Sequence, residues 1–241
     1  MRRRVVATSV ALAATAAAVG ATGAGGGAEA QRKPVRLEVS DVFIEVNATD
    51  GDAGLQVNID SEDWQQLTLR DPRGRSILNI GGVGRLQNWG LTGMTFESSE
   101  PPFAKVPFRR FRTRFPAGRY TFTGTRIDGR RVVGSDRLTH IVPRAPKVLT
   151  PARGAVVDPS NLVVSWQPVT RPRGIKIVAY IVIAADPKTD RELEMTLSPG
   201  VTSAAIPPTF LQPPGRYSLE VLARERSGNQ TITEVPIRTT G

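Results

Sequence analysis

Three stretches in the second half of the chain, NLVVSW, IKIVAYIVIAAD and RYSLEVLARE, have strand length, are rich in β-branched and aromatic residues, and are separated by proline and glycine clusters. Tyr217, Leu219, Val221 and Ala223 recur at every second position, which puts them on one face of a strand. Amphipathic helical periodicity is nearly absent. Short strands at this spacing predict an all-β fold built from β-sandwiches.

The chain has no cysteine, so neither a disulfide framework nor a lipid-modified cysteine is available, and core burial must hold the fold. Met1 to Ala30 begins with Arg2, Arg3 and Arg4, runs through an Ala/Val-rich stretch and closes on Ala28-Glu29-Ala30. That order predicts a secretory signal peptide cleaved near Ala30, by the general or the twin-arginine route. No later stretch has the apolar length of a membrane span. The expected product is secreted, periplasmic or extracellular. The remaining residues, about 210, suffice for two domains of about 100 each. Prolines 143, 146 and 151 in IVPRAPKVLTP mark the expected boundary. The expected organisation is thus 1–30 signal peptide, 31–144 first β-sandwich, 145–241 second. The net charge is +10, and the basic excess that remains beyond the leader is spread over both halves, compatible with an anionic partner without specifying one.

From Ala145 to Thr240 the sequence resembles a fibronectin type III domain. Trp166 ends the second-strand pattern LVVSW, Tyr180 lies in the third-strand pattern IVAYIV, and LQPPGRYSLEVLARERSGNQTITE resembles the turn and last two strands. The resemblance implies that Trp166 fills the space between sheets and that Tyr217 is a tyrosine corner, its hydroxyl bonded to backbone a few residues upstream. The first half repeats part of this pattern: FPAGRYTFTGTRIDG aligns Pro116, Gly118, Arg119 and Tyr120 with Pro213, Gly215, Arg216 and Tyr217. The stretch 76–107, with GGVGRLQNWG, has no counterpart and reads as an elaborated hairpin or a loop.

VFIEVN and LQVNID both alternate and form a hairpin. Val42, Ile44, Val46, Leu55, Val57 and Ile59 share one face, and Glu45, Asn47, Gln56, Asn58 and Asp60 the other. The connection ATDGDAG adds Asp50 and Asp52. Calcium takes six to eight hard oxygens, so Glu45, Asn47, Asp50, Asp52 and Asp60 are candidate ligands. ATDGDAGLQ also resembles the Asp-x-Asp-x-Gly segment of cadherin repeats, which implies Asp50 and Asp52 as ligands. The alternative is a solvated sheet face and a turn whose Asp and Gly serve the backbone.

AKVPFRRFRTRFPAGR carries Lys105, Arg109, Arg110, Arg112, Arg114 and Arg119 with no acid. Phe108, Phe111 and Phe115 recur at helical spacing between Pro107 and Pro116, while a strand would group Phe111, Thr113 and Phe115. Arg109, Arg110, Arg112 and Arg114 are candidate contacts for phosphate, sulfate or carboxylate groups; solvated charges beside core aromatics are the alternative. Trp64 and Trp89 are candidates for stacking on a sugar or a protein partner, against the usual burial of tryptophan. The lone His140 lies in the alternating run DRLTHIV and reads as a strand residue. No nucleophile elbow and no histidine pair at zinc spacing occur, so an enzyme is not expected. The expected function is non-catalytic binding or adhesion to an extracellular protein or glycan, supported by calcium. The first alternative is binding of extracellular DNA, lipopolysaccharide or acidic glycan through the arginines; the second is a glycan hydrolase using Asp50, Asp52, Asp60 or Glu62.

Overall fold

The computed structural model describes residues 33–240; the expected signal peptide lies outside the described residues. In chain order the elements are β1 (Val35–Arg36), β2 (Val39–Asn47), β3 (Asp52–Arg70), β4 (Ser76–Gly81), α1 (Arg85–Trp89), β5 (Leu91–Glu97), α2 (Phe108–Arg114), β6 (Gly118–Arg126) and β7 (Arg131–Leu138). They continue with β8 (Lys147–Thr150), β9 (Val156–Val157), β10 (Val163–Gln167), β11 (Ile177–Asp186), β12 (Arg191–Leu197), β13 (Ser203–Ala205), β14 (Arg216–Glu225) and β15 (Gln230–Thr239). The fold is all-β, as the strand periodicity requires.

Two compact units interleave along the chain: residues 33–40, 57–97 and 121–135 form one, and 41–56, 98–120 and 136–240 the other. This grouping differs from a division at 144/145, because β2 joins the C-terminal strands by parallel pairing with β15, Glu45 opposite Gln230 and Asn47 opposite Ile232.

Within the larger unit, β13, β10 and β8 form a three-stranded antiparallel sheet, and β12, β11, β14 and β15 run antiparallel in that order in a second one. Their inward residues make one core. Val164 and Trp166 of β10 cluster with Tyr180, Val182 and Ala184 of β11, Leu219, Val221 and Ala223 of β14, and Val235 and Ile237 of β15. Alternate positions supply these side chains because a strand turns successive residues to opposite faces. The Trp166 and Tyr180 rings pack 5.3 Å apart at a tilt of 56°. The Tyr217 hydroxyl donates to the Gln212 carbonyl at 3.1 Å and accepts from the Gln212 N–H at 2.5 Å. The expected tyrosine corner is therefore present, with the sheet arrangement of a fibronectin type III-like sandwich. Tyr120 repeats the device: its hydroxyl donates to the Pro116 carbonyl at 3.1 Å. The apolar run of β11 from Tyr180 to Ala185 is buried at every position, so both faces of this strand are covered, which explains why its sequence does not alternate.

In the smaller unit the strand order is β1, β7, β6, β3, with β4 and β5 also pairing β3. Leu37, Ile59, Trp64, Leu67, Leu69, Phe122 and Val132 are buried in it. The β3–β6 ladder slips between Trp64 and Gln66, and Gly124 lies close by. A Cβ there would stand 1.9 Å from the Gln66 carbonyl oxygen, so only glycine fits.

Candidate functional site

The β2–β3 hairpin forms as expected, closed by Gly51 N–H to the Asn47 carbonyl at 2.9 Å with Gly51 at φ 71°. Its polar face is not a wet face, however. Glu45 and Gln56 are buried, and β15, the parallel neighbour of β2, sets Gln230 beside Glu45 on this face. The Glu45 carboxylate accepts the Gln56 amide at 3.5 Å and the Gln230 amide. Asn47 acts as a turn residue: its Oδ1 accepts the N–H groups of Thr49 and Asp50 at 2.9 and 3.1 Å. Asp50 is exposed, Asp52 is buried, and Asp60 belongs to the other compact unit. Within the larger unit the carboxylate that comes near Glu45 is one that the hairpin pattern did not point to, Glu100, with oxygens within 4.8 Å. It lies in the irregular segment after β5, just before Pro101 and Pro102, and has no sequence periodicity to reveal it.

Beside this hairpin lies Arg224, whose Nε donates to Gln230 Oε1 at 3.0 Å. Burial lowers its pKa from the usual guanidinium range, against the opposing pull of Glu194, Glu45 and Asp41. Desolvation and the nearby Asp136 raise Asp41, against the pull of Arg224, and desolvation raises Glu194.

The basic segment folds as a helix, so the strand alternative is set aside. Phe111 is buried, its ring centroid 5.9 Å from Phe108 and 5.0 Å from Phe115, and Phe103 extends the row at 5.7 Å from Phe108. Arg109, Arg110 and Arg114 are exposed, while Arg112 lies over the Phe108 ring at 5.3 Å. Among the described residues none of the four enters an ion pair within 4 Å. His140 lies just beyond β7 rather than in a strand, and its Nε2 bonds the Phe115 carbonyl at 2.8 Å. That contact ties the end of α2 to the segment leading into β8.

This segment borders a cleft of about 850 Å³ within the same unit. Arg144, Lys147, Arg153 and Arg171 line it with Thr49, Gln167, Thr170 and a floor of Pro146, Pro151, Pro168 and Val169; Glu234 is the one acid. The frame is closely bonded. Thr231 and Thr233 hydroxyls donate to the carbonyls of Pro143 and Pro146 at 2.7 and 2.8 Å, and Arg144 N–H donates to the Arg171 carbonyl at 2.9 Å. Glu234 accepts the Asn47 amide at 3.3 Å, and Arg153 Nη1 donates to the Glu234 carbonyl at 3.3 Å. Among the described residues Arg144, Lys147, Arg153 and Arg171 form no ion pair. Sequence reasoning missed this site because its cations are scattered from 144 to 171. The available signal was basic residues set among loop prolines, as in PRAPK, PARG and RPRG.

The two tryptophan candidates separate. Trp64 is 0% exposed and its Nε1 donates to the Thr92 carbonyl at 3.2 Å, so the expectation that it stacks on a ligand is corrected: no ring face is available. Trp89 is exposed. For the hydrolase alternative, Glu62 is engaged by Arg126 at 2.9 Å, and Asp63 pairs with the same guanidinium. Asn229, which heads an Asn-x-Thr sequon, is fully buried.

No family model and no curated protein matches the sequence. Solved structures with a similar arrangement include the FN1-FN3 domains of chicken CNTN1, at 14% identity and TM-score 0.33 over 86% of this chain and 66% of that one. A two-domain fibronectin type III segment of chicken tenascin gives 16% identity and TM-score 0.31 over 86% of this chain and 99% of that one. The fn3 domain of human collagen alpha-1(XX) gives 20% identity and TM-score 0.31 over 42% of this chain and 89% of that one. Among the described residues no helix is long and apolar enough to cross a membrane.

Proposed function

We propose that the chain is an exported, non-catalytic binding module for an anionic polymer, held by the cleft between Arg144 and Arg171 and by the arginines of α2. The carrying observation is the cleft itself, lined by four cations against the single carboxylate of Glu234. A guanidinium outside any ion pair keeps donors for phosphate, sulfate or carboxylate oxygens, and the fork geometry of arginine suits these groups. Extracellular DNA, lipopolysaccharide and acidic glycans share that chemistry.

The test is binding of duplex DNA and of heparin across a salt series. For DNA the affinity should fall with log salt at a slope of about −0.9 per phosphate engaged. Arg144→Gln with Arg171→Gln should flatten that slope by about 2, and Arg110→Ala with Arg112→Ala should weaken binding further. Salt-independent binding, or unchanged slopes in both variants, would overturn the reading.

Calcium support is the second reading, favoured by the approach of Glu100 to Glu45. A cation that binds only the native state raises the melting midpoint. Millimolar calcium should therefore raise it over chelator, and Glu100→Gln should abolish the difference; equal midpoints would remove calcium from the account.

A further inference from the structure

We infer that the end of the larger unit at Arg216 and Arg238 is a second anion site, built for the doubly charged phosphate of a phosphate monoester. Arg216 on β14 stands directly opposite Arg238 on β15. Both are exposed on the outer face of the sheet, since the adjoining pair, Tyr217 and Ile237, belongs to the core. Like charges opposite each other across two antiparallel strands lie about 5 Å apart at Cβ and repel. Among the described residues neither arginine enters an ion pair. The acids on the same face of this ladder, Glu220 and Glu234, stand opposite each other, about 13 Å further along, and form no bridge to the arginines.

The two arginines line a cavity of about 680 Å³ together with Lys188, Pro213 and Pro214. Asp186 is the one carboxylate there, and it is committed to its own turn. Its Oδ1 accepts the Lys188 N–H at 2.9 Å and its Oδ2 accepts the Thr189 hydroxyl at 2.8 Å. The backbone beside the arginines is fixed: Gly215 N–H donates to Thr239 Oγ1 at 2.8 Å, and Thr239 N–H donates to the Gly215 carbonyl at 3.0 Å. A Cβ on Gly215 would meet the Tyr217 ring at 2.6 Å and the Gln212 carbonyl oxygen at 2.7 Å, so the loop closes tightly on the Tyr217 corner.

Charge and size select the ligand. Three cations against one engaged carboxylate leave the cavity an excess of two positive charges, and a phosphate monoester carries close to two negative charges above about pH 6, with three acceptor oxygens. One guanidinium fork suffices for a monoanion such as a carboxylate or a sulfate ester, whereas the charge of a second one beside it is balanced by a dianion that accepts from both. The phosphate group fills only part of the cavity, and the space walled by Pro213 and Pro214 takes the organic group of the ester. The site shares no residue with the cleft at Arg144 and Arg171 or with α2, and so stands or falls apart from the polyanion reading.

The test uses the full chain carrying Arg144→Gln with Arg171→Gln, which silences the cleft, at pH 8 and constant ionic strength. Three ligands are titrated by calorimetry: phenyl phosphate, a dianion at this pH; phenyl sulfate, its monoanionic isostere; and inorganic phosphate, which lacks the organic group. Phenyl phosphate should bind about tenfold tighter than phenyl sulfate, and tighter than inorganic phosphate. Adding Arg216→Gln should weaken phenyl phosphate about tenfold. Without ligand the same substitution should raise the melting midpoint, because it removes the cross-strand repulsion. Equal affinity for phenyl phosphate and phenyl sulfate, equal affinity for phenyl phosphate and inorganic phosphate, or affinity unchanged by Arg216→Gln overturns the inference.

Discussion

The side chain of Asn229 accepts the backbone N–H of Ile44 at 2.7 Å across 185 positions of sequence. Its amide donates to the Thr139 carbonyl at 3.1 Å and the Ile141 carbonyl at 2.8 Å, so one buried residue in the β14–β15 turn joins β2 to the strap after β7. Removing it strands the buried Ile44 N–H and takes the donor from two part-buried carbonyls, each costing about 1 kcal/mol. Asn229→Ala should therefore lower stability by about 3 kcal/mol in urea unfolding, and Asn229→Asp by at least as much, since it buries a charge and loses the donors. The sequon it heads should remain unglycosylated in a folded chain expressed in a glycosylating host, as read by intact mass.

The two tyrosine corners give a paired test. Tyr217→Phe removes two hydrogen bonds to Gln212, and Tyr120→Phe removes the bond to the Pro116 carbonyl. At about 1 kcal/mol per bond, the first variant should lose about 2 kcal/mol and the second at least about 1 kcal/mol in urea unfolding. No loss in Tyr217→Phe would mean that the turn at Pro213 does not depend on the hydroxyl.

Phe111 supports the arginines of α2 without carrying charge. Phe111→Ala removes the ring between Phe108 and Phe115 and should cost about 3 kcal/mol of stability. Affinity for heparin at temperatures where the variant is folded should drop severalfold although every arginine remains, because the helix that spaces the guanidinium groups is loosened. Unchanged affinity would show that the charges act without a fixed geometry.

Asp41 provides a pH signature. Desolvation and Asp136 raise its pKa above the ordinary value of 3.8, against the pull of Arg224. The native state thus holds this proton more tightly than the unfolded chain. The stability it contributes is complete below about pH 3.8 and is lost as pH rises through the higher native pKa. Asp41→Asn should raise the melting midpoint at pH 7, and the gain should disappear by pH 3. A midpoint lowered at pH 7 would show that attraction to Arg224 outweighs the other two effects.

What could be read along the chain was local. The strands of the C-terminal sandwich, the Trp166 core and the Tyr217 corner follow from alternation and turn chemistry within a few tens of residues. The flanking prolines marked the limits of the segment at Phe108, but its phenylalanines fitted a helix and a strand alike, and only the structure gives the helix. The acidic hairpin was also legible as a hairpin, but its chemistry was not. Glu45 sits on the face opposite the apolar residues, and alternation assigns that face to solvent; in the structure it is buried, with Gln230 of the parallel neighbour β15 bonded beside it.

The sequence by itself determined the strands, their inward faces and the two corners, because each depends on the two-residue period of extended backbone and on nearby turns. Only the tertiary structure decided that Asn229 is a latch, that Arg144 and Arg171 share a cleft, and that Trp64 is buried while Trp89 is bare. Those outcomes depend on which strands become neighbours and on what covers each face, and pairing between residues far apart in sequence leaves no periodic trace along the chain.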